Sequence, residues 1–434
     1  MRLTSTCGSS NPVSFREALL EGLAPDGGLY LPDAVPAFAA GDILSWRDQP
    51  LCEIAVKVLG RLVGDEFDRA RFDELVRDAF DFPAPTVPLG DGVFVLELFH
   101  GPTLAFKDFG ARFLARVFGH LLEQRGDHAT ILVATSGDTG SAVAQGFFGV
   151  PRLRVVVLYP AGKVSPFQEA QMATLGGNIS AVRVPGTFDD CQRLVKQAFV
   201  DHGLRRLHLS SANSINIGRL LPQAVYYFDS YLRTQPEGGQ AVFVVPSGNL
   251  GNITAGVLAQ RAGLPVGRFV SATNANDVLP EYLLTGLYRT RPAVATMSNA
   301  MDVGDPSNFA RLAALHGGSW EGLRANVAGY RVSEEETRAT IREQYRETGY
   351  VLDPHSAVGV AAARQYRRES ADGAPVVTLA TAHPAKFGAV IRQELGFEPE
   401  LPSCYRDWAS RPIVADTLED TAYDTFRRWL MSLD

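Results

Sequence analysis

The chain has 434 residues, 46% of them apolar and 21% charged, with 26 prolines spread along it. That is more chain than a single hydrophobic core organises, so two or three domains are expected, and the composition excludes a disordered protein. A net charge of −7 without any Lys/Arg-rich block argues against a nucleic-acid surface, and no run approaches the roughly 20 apolar residues of a membrane span.

In chain order, the first ninety residues carry helical patterns at FREALLEGLA (15–24), EIAVKVLGRLV (53–63) and ARFDELVRDAF (70–80). They lack a strand-turn-helix rhythm and contain no apolar signal-peptide segment, so a mainly helical lead-in is predicted over residues 1–95. Short β-branched runs follow at ATILVA (129–134), RVVVLYP (154–160), AVFVVP (241–246) and PVVTLA (375–380). Each leads into a glycine- or proline-marked turn and then a helical pattern, which is the signature of strands buried on both faces of parallel α/β sheets. A further helix is predicted to open at Ser333, where Ser333 and Glu336 form a capping box, and to run through Glu347.

Four cysteines (Cys7, Cys52, Cys191, Cys404) stand far apart, with no C-x-x-C and no histidine cluster. Neither a zinc site nor a disulfide framework is expected, metal catalysis has no support, and a reducing cytoplasm is the expected compartment.

In open parallel sheets, ligands collect at the carboxyl ends of strands, and three polar turns fall there or nearby. PSGNLGN (246–252) places Gly248 and Gly251 before a helix N-terminus, an arrangement that can cradle a phosphate or carboxylate and that an ordinary turn would also produce. TSGDTG (135–140) adds the hydroxyls of Ser136 and Thr139 to its backbone amides, yet Asp138 would repel an anion and reads equally well as a turn residue or helix cap. SSANSINIGR (210–219) gathers Asn213, Ser214, Asn216 and Arg219, enough donors to grip a phosphate, although a solvated loop or cap would look similar.

Only five of the 41 basic residues are lysine (Lys57, Lys107, Lys163, Lys196, Lys386), and the other 36 are arginine. A position that resists such a bias can need an amine able to lose its proton, which a guanidinium cannot do. Lys107 lies in FHGPTLAFKDFGARF (99–113), among Phe99, Phe106, Phe109 and Phe113. Apolar surroundings disfavour the ammonium form, as a lysine that condenses with an aldehyde requires. Such a lysine together with a phosphate cradle points to pyridoxal 5′-phosphate; the ordinary alternative is a lysine that snorkels to solvent.

The chain resembles the threonine synthase family of fold type II pyridoxal-phosphate enzymes. The resemblance runs through SFREALLEGLAPDGGLYLP, FHGPTLAFKDFG, ATSGDTGSAVA, LYPAGKVSPFQEAQMATLGGNI, SANSINIGRLLPQ, VVPSGNLGNITAG, ATNANDVLP, SNAMDVGDPSN and TAHPAKF. It implies a tryptophan-synthase-β-like α/β fold with two parallel-sheet domains. The large cofactor-binding domain is expected over residues 96–125 and 226–434, and the small substrate-binding domain over 126–225. Lys107 matches the family's Schiff-base lysine, while Gly248, Asn249, Leu250, Gly251 and Asn252 match the loop that holds the cofactor phosphate, with Leu250 in place of an expected phenylalanine. Thr381 matches the hydroxyl residue that meets the pyridine nitrogen, a milder electron sink than an aspartate there would make.

Ser136, Gly137, Asp138 and Thr139 match the loop that takes the substrate's α-carboxylate. Asn213, Ser214, Asn216 and Arg219, helped by Lys163, are implied to hold the substrate's phosphate, with Gly218 where the family often has serine. The implied activity is a carbon–oxygen lyase reaction that converts O-phospho-L-homoserine and water to L-threonine and phosphate, the last step of threonine biosynthesis. A related phospho-lyase that releases a keto acid, or a non-catalytic relative, is the alternative. The expected partner is the small-molecule substrate, with no nucleic acid, membrane or metal, in a cytoplasmic monomer or homodimer.

Overall fold

The computed structural model describes residues 1–434 except 64–65, 236, 371–372, 404, 406–407, 409–410 and 434, so Cys404 lies outside the described residues. The chain opens with β1 (Arg2–Ser5), β2 (Val13–Ser14) and β3 (Tyr30–Pro32), which form an antiparallel sheet in the order β2-β1-β3. Strands of two to four residues are too short to show an alternating pattern, which is why this sheet is absent from the sequence expectation. The expected helices around it form at Phe15–Glu21, Leu51–Val63 and Arg69–Ala79. The first is closed by a reciprocal Ser14–Glu17 capping box and the third by the Asp68 side chain.

The remaining strands in chain order are β4 (Thr86–Gly90), β5 (Val93–Glu97), β6 (Ala129–Ala134), β7 (Leu153–Pro160), β8 (Ile179–Val184) and β9 (Leu209–Ser210). They continue with β10 (Ala241–Pro246), β11 (Val266–Thr273), β12 (Val327–Arg331), β13 (Val376–Ala380) and β14 (Ala415–Thr417). The large sheet runs β12-β11-β10-β13-β5-β4, parallel except for β4, and the small sheet runs β14-β8-β7-β6-β9, parallel throughout. Every residue of β6, β10 and β13 is buried, as unbroken apolar runs require of strands covered on both faces.

Two boundaries differ from the expected domain limits. β4 and β5 belong to the large sheet, so the lead-in yields to it before Thr86 rather than at residue 95. The signal was local: Asp91 (φ 51°) and Gly92 (φ 72°) both adopt the left-handed conformation that a two-residue hairpin demands, and Asp-Gly is a preferred pair for it. At the other end β14 pairs with β8, and the helix Tyr423–Met431 places Phe426 and Leu430 in the core of the small sheet. The C-terminal segment therefore returns from the large sheet to the small one.

The helix Lys107–Arg125 follows β5 and buries Phe109, Phe113, Leu114, Phe118 and Leu121 in the main apolar core, leaving Lys107 at its first position. Gly126 ends the helix in the left-handed conformation.

Candidate active site

The turn before Lys107 is braced by the segment that follows β13. The Phe106 amide donates to Thr381 O at 2.9 Å, the His383 amide donates to Leu104 O at 3.0 Å, and Ala105 bridges Ala382. T-L-A-F-K and T-A-H-P-A-K-F, remote in sequence, thus run side by side at the carboxyl edge of the large sheet. Thr381 sits just past the end of β13 and Gly248 just past the end of its neighbour β10.

In the PSGNLGN turn, Leu250 takes φ 59° and reverses the chain into the helix Gly251–Arg261, whose first amides have no partners within the helix. Gly248 leaves no room for a side chain, since a Cβ would lie 2.9 Å from Ala300 O and 3.0 Å from Met301 Cα. Asn249 is the bracket of the turn. Its amide donates to Ser214 Oγ at 2.6 Å, its Oδ1 accepts from the Ser307 amide at 2.6 Å, and its carbonyl accepts from Asn308 Nδ2 at 3.1 Å. Asn252 receives the hydroxyls of Tyr226 (2.7 Å) and Tyr227 (2.8 Å) on Oδ1, while its buried Nδ2 has no partner. A helix N-terminus with an orphaned amide donor beside it is a donor set suited to a phosphate. With an amine and a neutral hydroxyl at the same sheet edge, these residues fit pyridoxal phosphate.

Lys107 keeps only 17% of its side chain exposed, and its Nζ lies 3.6 Å from Asp138 Oδ2 and 5.2 Å from the Phe106 ring centroid. Burial lowers its proton affinity, and Lys386 and Arg219 lower it further against the opposing pull of Asp138. Asp138 opens the helix Asp138–Phe147 after Gly137, whose φ of 141° no side chain adopts easily and where a Cβ would strike Gln168. Asp138 Oδ1 accepts from Lys386 Nζ at 2.6 Å and from Gln168 Nε2 at 2.9 Å. Burial opposes the charge on Asp138, yet the Lys386 and Lys107 ammonium groups outweigh it and hold the carboxyl well below the usual carboxylate range. The acid that the sequence places in an anion cradle has its charge met here, because the Asp138 side chain faces two lysines.

The other expected residues divide in two. Ser136 is exposed and Thr139 half-buried on the same turn, and Lys163 is exposed in the turn after β7, the neighbour of β6. Ser214 accepts the Asn249 amide and so joins the cofactor turn to the SANSINIGR segment. Arg219 is buried, donates to Ala212 O at 2.5 Å and leaves Nε without a partner; burial pulls its pKa down to about 10. Asn216 does not point to a ligand. It is fully buried, donates both amide hydrogens to Leu19 O (2.9 Å) and Ser211 O (3.1 Å), and accepts from the Gly218 amide at 2.9 Å, so its role is to fix the loop. A Cβ at Gly218 would lie 2.8 Å from Leu114 Cδ1, so apolar side chains crowd the place of a serine hydroxyl.

Lys386, Gln168, Asn308 and Arg311 belong to this assembly and have no role in the sequence expectation; of these, Lys386 alone carried a signal, as one of five lysines. Asp108, beside Lys107, is fully buried and accepts from the Thr103 amide (2.8 Å) and hydroxyl (2.6 Å). Burial raises its pKa to about 6 despite those hydrogen bonds. A carboxyl raised in the folded state favours folding below its unfolded value of about 4 and loses that advantage as pH rises through about 6. Asp108→Asn is therefore expected to gain thermal stability relative to the parent between pH 4 and 7, with a constant difference above that, in melts followed by circular dichroism.

Comparison with known proteins agrees with this geometry. The family model "Pyridoxal-phosphate dependent enzyme" matches residues 81–382, "Threonine synthase N terminus" matches 2–80 and "Threonine synthase, C-terminal" matches 356–428. The chain is 44% identical over 437 residues to a threonine synthase of Serratia marcescens, covering 100% of both chains. It is similar to the crystal structure of pyridoxal-phosphate-bound threonine synthase from Brucella melitensis, with a TM-score of 0.94 and 40% identity over 100% of this chain and 99% of that one. The Escherichia coli threonine synthase structure matches with a TM-score of 0.90 and 41% identity, covering both chains completely. With an amine, an anion cradle and a neutral hydroxyl meeting at one sheet edge, and with this match along the whole length, the chain belongs to the threonine synthase family of pyridoxal-phosphate-dependent lyases.

Proposed function

We propose that the chain converts O-phospho-L-homoserine and water to L-threonine and phosphate, in the cytoplasm. The observation that carries this reading is the buried Lys107 amine 3.6 Å from Asp138 of the TSGDTG turn, on a helix whose preceding turn is hydrogen-bonded to Thr381. Bound through its aldehyde, pyridoxal phosphate supplies an electron sink that stabilises negative charge on the substrate's carbon skeleton. Gly248, Asn249, Leu250, Gly251 and Asn252 hold its phosphate, and Thr381 offers a hydroxyl to the ring nitrogen. The amides and hydroxyls of Ser136 and Thr139, with the amide of Asp138, take the α-carboxylate, while the Gly137 amide is held by Thr135 Oγ1 at 2.9 Å and shapes the turn.

Ser214, which accepts from Asn249 and still has its own proton to give, joins Asn213, Arg219 and Lys163 around the substrate phosphate. The freed Lys107 amine takes one proton from Cα and one from Cβ; phosphate leaves from Cγ, a proton is returned to Cγ to make the methyl group, a water oxygen adds at Cβ with its spare proton passing to phosphate, and Cα is reprotonated. One base serves several of these transfers, so its proton must be exchangeable near working pH. The test is incubation with O-phospho-L-homoserine followed by identification of the carbon product beside released phosphate. Threonine in equal amount to phosphate is the expected result; a keto acid as the main product would overturn it in favour of a phospho-lyase.

A further inference from the structure

Lys386 is assigned no part in the reaction above, yet none of its side chain is exposed. Its Nζ lies 2.6 Å from Asp138 Oδ1 and donates to Thr103 O at 3.0 Å, and Gln171 Nε2 reaches the same carbonyl at 3.1 Å. Thr103 in turn binds Asp108, so the Lys386 ammonium is locked between the turn before Lys107 and the acid at the head of the small-sheet helix. The other oxygen of Asp138 faces Lys107 at 3.6 Å. Two amines thus share one carboxylate. The remaining charges near Lys107 are the Arg219 guanidinium, buried under the same helix, and Asp108, which faces Thr103.

An isolated Asp138–Lys107 pair would be neutral and would hold the lysine's proton firmly. A second ammonium on the same carboxylate leaves the group with an excess positive charge, and the proton on the less hydrogen-bonded amine is the one most easily lost. Lys386 has two short contacts and full burial, whereas Lys107 has one charged contact among the described residues, at 3.6 Å, and stays partly exposed. We propose that Lys386 is a positioning residue: by occupying one oxygen of Asp138 it weakens that carboxylate's hold on Lys107 and leaves the Lys107 amine free to give up its proton. The direction of the Lys107 shift, set by burial and then by the balance of Asp138 against Lys386 and Arg219, agrees with this.

The inference rests on Lys107 being the reacting amine, and its test uses neither substrate nor turnover, so failure of the product assay would leave it standing. The full chain, freed of cofactor, is labelled with trace acetic anhydride across pH 6–11, and acetylation of Lys107 is followed by peptide mass spectrometry. Lys386→Met should move the labelling midpoint up by about 1–2 pH units, and Asp138→Asn should move it down. Damage to the fold alone would not shift one amine in opposite directions. Lys386→Gln, which keeps a donor for Thr103 O, should give the same upward shift if the methionine variant does not fold. An unchanged midpoint in the Lys386 variants, or shifts of the same sign in both sets, would overturn the proposal.

Discussion

Lys107→Ala will lose turnover by about four orders of magnitude or more, because the amine that binds the cofactor and the base that moves its protons vanish together. The purified parent should show a visible absorbance band that borohydride bleaches, and the variant should show none. Lys107→Arg should fail equally: a guanidinium keeps the positive charge beside Asp138 but neither attacks an aldehyde nor gives up its proton at working pH. The fold should survive both changes. Among the described residues the one ion pair of Lys107 is the 3.6 Å contact with Asp138, which retains Lys386 and Gln168 as partners, so the thermal midpoint of Lys107→Ala is expected to stay close to that of the parent. Loss of colour without loss of fold separates a chemical role from a structural one.

Arg311→Ala is expected to cost about 3–5 kcal/mol of stability, although its side chain forms no ion pair among the described residues. Arg311 is fully buried and has no carboxylate partner among the described residues; its guanidinium donates to Tyr30 O at 2.9 Å, Ile215 O at 2.6 Å, Ser214 O at 3.2 Å and Asn308 Oδ1 at 2.8 Å. Burial pulls its pKa down to about 9. One side chain therefore ties the N-terminal sheet to the SANSINIGR loop and to Asn308, which itself grips the carbonyl of Asn249. Removing it strands four acceptors, and water entering the vacated space keeps the total below four full penalties. Chemical denaturation measures the loss. A titration with pyridoxal phosphate should show at least about tenfold weaker binding, since the bracket behind the cofactor turn is released. Arg311→Lys should recover little, because a single ammonium cannot reach acceptors arranged as a fork.

Arg311 also marks what a sequence reading cannot reach. Its four acceptors lie between 3 and 281 residues away, and three are backbone carbonyls, which leave no trace in residue type or spacing. Lys107 and the PSGNLGN turn stand out in the sequence for the opposite reason, a rare residue type in one case and a glycine pattern in the other, whereas Thr381 rests on the family resemblance alone. The strands of both parallel sheets were legible in part, because β6, β7, β10 and β13 are unbroken apolar runs. β1, β2 and β14, at two to four residues, carry no period at all. Asp138 falls between these cases. Charge repulsion made it suspect as an anion ligand, but only the fold brings Lys386 from 248 positions further along the chain to explain it.

The return of the C-terminal segment to the small sheet has a mechanical side. The chain passes between the two sheets three times, from β5 into β6, from β9 into β10 and from β13 to β14. A body joined by one tether can swing freely, and one joined by two can still twist about the line between them. A third tether, added to an apolar core that takes residues from both sheets, restricts the remaining freedom. The faces that carry Lys107 and Asp138 are thereby held in register across one shared apolar core.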